Sequence, residues 1–132
     1  MEQHQKNAFA IAKWLQEQPR VQYVLYPGLE NHPGYEINKA QTTGFGGMIS
    51  FAVDSAETAR QILEGVKLIK FAESLGGTES LITYPIRQTH TDLTTEECAE
   101  NGITDCLLRF STGIEATQDL IDDLAQAFAA IE

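Results

Sequence analysis

The chain has 132 residues, 42% hydrophobic and 21% charged, the size of one domain and a composition that excludes overall disorder. Nineteen acidic residues against nine lysines and arginines give a net charge of −10. That balance argues against a nucleic-acid partner, since phosphates need a basic face.

No apolar run reaches the ~20 residues that cross a bilayer. The start, Met1-Glu2-Gln3-His4-Gln5, lacks the basic and apolar regions of a signal peptide. Cys98 and Cys106 have no metal-ligand spacing and read as reduced thiols of a cytoplasmic protein. Ten acidic residues between Asp92 and Glu132 face a single cation, Arg109.

Residues 4–17 read as a helix, with an apolar stripe at Ala8, Ile11, Ala12 and Leu15 and a stop at Pro19. Its start carries no capping signal, which suits either a cut made inside a longer helix or a natural short start. Residues 21–26 form a short strand ended by Pro27-Gly28, and Pro33 opens a helix capped by Asn31 or His32 and running to Gln41. Gly44-Phe45-Gly46-Gly47 leads into a strand over 48–53. Asp54-x-x-Glu57 is a capping box for a helix over 55–64, stopped by Gly65. Strands follow over 67–72 and 80–84, separated by Leu75-Gly76-Gly77. Thr94-x-x-Glu97 caps a helix that Asn101-Gly102 ends, residues 106–111 are strand-like, and a last helix runs over 117–131. Its stripe is Leu120, Leu124, Ala127, Phe128 and Ile131, and Asp119, Asp122 and Asp123 suit the positive helix N-terminus. The pattern predicts one α/β domain over 1–132. Its mainly antiparallel sheet of about four strands should have helices on one face.

Few residues stand out as chemistry. The glycine loop at 44–47 precedes a strand, whereas a phosphate cradle follows one and opens a helix. His4, His32 and His90 have no partners at metal spacing. His4 and His32 read as surface or capping residues, and His90 sits in a polar loop. Arg109 lies mid-strand among apolar residues, where a charge must be paired. It either bridges a nearby acid such as Asp105 or Glu115, or holds a ligand carboxylate in two parallel hydrogen bonds. The turn Glu73-Ser74-Leu75-Gly76-Gly77 is the other candidate.

Four ordered segments are familiar: Tyr26-Pro27-Gly28-Leu29 with His32-Pro33; Gly44-Phe45-Gly46-Gly47-Met48; Glu73-Ser74-Leu75-Gly76-Gly77-Thr78-Glu79-Ser80-Leu81; and Leu108-Arg109-Phe110-Ser111-Thr112-Gly113-Ile114-Glu115. Together with Thr89-His90 they resemble the pyridoxal phosphate-dependent enzymes of Cys/Met metabolism. That family includes cystathionine γ-synthase, cystathionine γ- and β-lyases and methionine γ-lyase. Phe110 and Thr112 depart from the family's common Leu and Val, but both suit a strand.

The resemblance implies the small C-terminal domain of an aspartate-aminotransferase-like (fold type I) enzyme. The preceding domain, with the Schiff-base lysine and the phosphate loop, is not in this chain. By the same resemblance Arg109 binds the substrate α-carboxylate, with Ser74, Glu73 and Thr89 lining the pocket. Glu73 matches a glutamate of the γ-synthases and γ-lyases, where β-lyases carry tyrosine. The implied parent is a homotetramer acting on sulfur amino acids with pyridoxal phosphate, in trans-sulfuration by elimination or replacement at Cβ or Cγ. Neither bound cofactor nor activity is expected of the 132 residues alone. The rival reading is a non-catalytic, stand-alone binding or oligomerisation module with the same fold.

Overall fold

The computed structural model describes residues 1–132. In chain order the elements are α1 (Glu2–Gln16), β1 (Val21–Leu25), α2 (Tyr35–Gln41), β2 (Met48–Val53), α3 (Ala56–Gly65), β3 (Lys70–Phe71), β4 (Leu81–Thr83), α4 (Thr95–Glu100), β5 (Leu107–Ser111) and α5 (Thr117–Ala129). They build one five-stranded sheet in the order β1-β2-β5-β4-β3. The pairs β1–β2, β2–β5 and β5–β4 are antiparallel, and the short edge pair β3–β4 is parallel.

Strand alternation sorts the side chains onto two faces. Val24, Ile49, Phe51, Val53, Ile82, Leu108 and Phe110 point to one face and join the core with Ala8, Ile11, Ala12 and Leu15 of α1, Ile62 of α3, and Leu120 and Leu124 of α5. Cross-strand pairs Ile49–Phe110 and Phe51–Leu108 knit its centre. Each such side chain, fully withdrawn from water, stabilises the fold by about 1.5–3 kcal/mol. The α1 and α5 stripes read from the sequence are therefore the faces that bury.

Several local expectations need correction. α2 starts at Tyr35, not Pro33: His32 Nδ1 accepts the Gly34 amide at 2.9 Å, holding a turn before the helix. α3 is capped by Ser55, whose Oγ accepts the Thr58 amide at 3.1 Å, while Asp54 takes the Thr58 hydroxyl. The 67–72 strand shrinks to Lys70–Phe71. The reason is Asp123. It does not decorate an exposed helix start; it is buried and accepts the amides of Lys67, Leu68 and Ile69 at 2.8, 2.9 and 2.8 Å. Amides bound to a carboxylate cannot pair with a strand. The Thr94–Glu97 capping box forms as read.

Candidate functional site

On the face opposite that core, register aligns Leu25, Ser50, Arg109 and Thr83 in one row across β1, β2, β5 and β4. Arg109 is half-buried in the middle of that row. Its Nη2 donates to the Glu73 carbonyl at 2.8 Å and to Thr83 Oγ1 at 3.4 Å. Its Nε is buried without a partner. The ion pairs of the chain are Arg20–Asp54, Arg60–Glu57 and Arg60–Glu64, so Arg109 has none. The two acids that spacing offered are engaged elsewhere. Glu115 accepts the Ser80 amide at 2.7 Å and the Ser80 hydroxyl at 2.8 Å, and Asp105 lies against Cys106 Sγ. A guanidinium with no acid partner can take a carboxylate from a ligand in charge-assisted hydrogen bonds.

The loop after β3 is fastened over this face at two points. Arg109 holds the Glu73 carbonyl, and the Gly76 amide donates to Ser111 Oγ at 2.8 Å. Between them Ser74 and Leu75 are exposed. Gly76 turns the chain at φ +73°, a conformation that favours glycine. Ser80 Oγ also accepts the Gly113 amide at 2.9 Å, and a Cβ on Gly113 would strike the Thr78 carbonyl and the Glu115 carboxylate. Asn7, fully buried on α1, donates to the carbonyls of Gly113 and Glu115 at 3.1 and 2.8 Å and accepts from Thr117 Oγ1. His4 Nε2 lies 3.1 Å from the Gly77 carbonyl, which places the shared proton on Nε2. One polar knot therefore ties α1, the 73–80 loop and the 112–117 turn together.

The structure thus joins Arg109 to the Glu73 backbone, with Ser74 next in the chain and exposed. Thr89 is exposed, with Oγ1 2.7 Å from His90 Nδ1 and 3.4 Å from the Pro85 carbonyl, and no hydrogen bond joins it to Arg109. Asn7, Ser80 and Thr83 escaped the sequence reading, as did the parts played by His4 and Glu115. Asn7 carried a signal: it stands four residues before Ile11, on the buried side of the apolar stripe. Burial, with Asp105 beside it, pushes the Cys106 thiol pKa up. A cleft of about 760 Å3 lies between α1 and the 26–35 segment and contains none of these residues.

Residues 1–129 match the Cys/Met metabolism PLP-dependent enzyme family. The chain belongs to that family. It is 52% identical over 128 residues to cystathionine gamma-lyase of Dictyostelium discoideum, covering 96% of this chain and 33% of the relative. It is 48% identical over 132 residues to cystathionine gamma-synthase of Haemophilus influenzae, covering 100% of this chain and 31% of the relative. Among solved structures, cystathionine gamma-lyase from Lactobacillus plantarum complexed with L-serine superposes with a TM-score of 0.94 at 40% identity, over 99% of this chain and 34% of that one. Cystathionine gamma synthase from Xanthomonas oryzae pv. oryzae, in complex with aminoacrylate and cysteine, gives 0.93 at 43%, over 98% and 34%. The chain spans about a third of the length of the relatives it matches.

The family's cofactor needs a lysine for its imine and a nest of donors for its phosphate. All five lysines here are exposed. Lys13 lies over the Phe9 ring, Lys39 over Tyr35, and Lys70 donates to the Lys67 carbonyl. The residues of this chain do not by themselves fit pyridoxal phosphate.

Proposed function

We propose that this chain is the C-terminal, substrate-carboxylate-binding domain of a pyridoxal phosphate-dependent trans-sulfuration enzyme of the cystathionine γ-synthase or γ-lyase type. The cofactor would be held by residues outside this chain. In this reading Arg109 receives the α-carboxylate of the sulfur amino acid, Ser74 and the Glu73 side chain line the same place, and Thr89 stands on the turn beyond β4. The observation that carries it is the isolation of Arg109. In a chain with net charge −10 this cation makes no ion pair, and its buried Nε has no partner. A charge left so is costly unless a ligand completes it. Fixing the carboxylate orients the rest of the amino acid, and with it the bond at Cα that is to break.

The test is Arg109→Lys in the full-length parent enzyme. An ammonium keeps the charge and loses the fork. The contact should weaken by about 2 kcal/mol or more, raising KM about thirtyfold. A normal KM would exclude the assignment. The 132-residue chain alone, mixed with pyridoxal phosphate, should show no γ-elimination; turnover would mean that the chemistry does not need residues outside this chain.

A further inference from the structure

We infer that Thr83 is a positioning residue for Arg109: its hydroxyl holds the guanidinium against the loop backbone before substrate arrives. The inference rests on the carboxylate-binding reading of Arg109 and adds to it a residue that touches no substrate.

Thr83 ends β4, directly across from Arg109 on β5, and is 1% exposed. Its Oγ1 has one hydrogen, donated to the Ala72 carbonyl at 2.6 Å. That bond fixes the hydroxyl rotor and leaves only lone pairs for any other neighbour. One of them faces Arg109 Nη2 at 3.4 Å, while the same Nη2 donates to the Glu73 carbonyl at 2.8 Å. Ala72 and Glu73 are consecutive, so three hydrogen bonds close a ring through Thr83, Arg109 and one stretch of backbone. Ala72 is itself anchored to the sheet, its amide donating to the Ile82 carbonyl at 3.0 Å.

The consequence is directional. Both hydrogens of Nη2 are directed inward, one to Glu73 and one to Thr83. Nε–H and the Nη1 hydrogens make no hydrogen bond within the chain and lie on separate edges, so a carboxylate takes one of them singly or shares Nη2 with Thr83. A long side chain already restrained has less freedom to lose when it captures a ligand. Threonine suits this task, because β-branching stiffens χ1 on a strand. A hydroxyl that served only to fasten Ala72 would have no need to face the guanidinium.

The experiment uses the full-length, cofactor-loaded parent enzyme with Thr83→Val, Thr83→Ser and Arg109→Lys. The readouts are kcat, KM, and competitive inhibition by norleucine and by pentylamine, which differ only in the carboxylate. Thr83→Val should raise KM and the norleucine inhibition constant about five- to tenfold. Pentylamine inhibition should not change, and kcat should stay within about twofold. Thr83→Ser, which restores the hydroxyl, should bind norleucine like the parent. If the valine variant fails to fold, Thr83→Ala must show the same carboxylate-selective loss. Equal weakening of both inhibitors, or of neither, overturns the role of Thr83. If Arg109→Lys loses norleucine while Thr83→Val does not, only the positioning role falls. If Arg109→Lys binds norleucine normally, the carboxylate reading itself falls.

Discussion

Replacing Asp123 tests how the segment that carries the site loop is held. Asp123 lies in the second turn of α5 and is 7% exposed. Its carboxylate accepts three successive amides, Lys67, Leu68 and Ile69, all at 2.8–2.9 Å. Gln126 braces it, donating to Asp123 Oδ1 at 3.2 Å and to the Gly65 carbonyl at 2.6 Å. Hydrogen bonds to a charged group are each worth about 1.5–3 kcal/mol net. Lys67 and Leu68 are exposed, so water replaces much of what their amides lose in Asp123→Ala, whereas Ile69 is 1% exposed and its amide stays dry. The loss should therefore be about 3–4 kcal/mol, a large share of the 5–15 kcal/mol typical of a domain. Asp123→Asn keeps one acceptor oxygen and should lose about half as much. Urea titration of the chain should show a lower midpoint with an unchanged slope. Hydrogen exchange should accelerate first at residues 67–69. A loss below about 1 kcal/mol, or unchanged exchange at Ile69, would refute the reasoning.

Two further outcomes concern titration. The Thr94 backbone amide and hydroxyl hold the Glu97 carboxyl below its ordinary range. A depressed carboxylate contributes stability above its unfolded pKa and loses it as pH falls through the folded value. The stability gap between the native chain and Glu97→Ala should therefore close on acidification, while that between Glu97→Gln and Glu97→Ala should not; a pH-independent native gap would exclude this. Burial, then Asp105, raises the Cys106 thiol. Alkylation of Cys106 by iodoacetamide, followed on its peptide by mass spectrometry, should rise at a higher pH than for free cysteine and move partly back in Asp105→Asn. A midpoint at or below that of free cysteine would contradict it.

Periodic signals carried most of the fold. The α1 stripe at Ala8, Ile11, Ala12 and Leu15 and the alternation of β2 and β5 depend on burial, which hydrophobic spacing reports directly. What escaped was decided by single polar atoms. His32 Nδ1 moved the start of α2, Ser55 rather than Asp54 capped α3, and the Asp123 carboxylate shortened β3 to two residues. Adjacent residues of similar capping chemistry are not distinguished by spacing. The same holds at the site: Ser80 and Thr83 look like ordinary strand residues until register sets Thr83 across from Arg109 and Ser80 beside Glu115.

The isolation of Arg109 could not be read from spacing either, because it depends on where ten nearby acids turn. Those whose partners are defined bind neutral donors. Glu97 takes the Thr94 amide, Glu115 takes Ser80, Asp122 takes Gln118, and Asp123 takes three backbone amides. Each carboxylate satisfied this way has less to gain from reaching toward the guanidinium. The acidity of this half of the chain therefore does not neutralise its one cation by direct contact. Glu97, Glu115, Asp122 and Asp123 are held by neutral donors, and no acid of the chain forms an ion pair with Arg109.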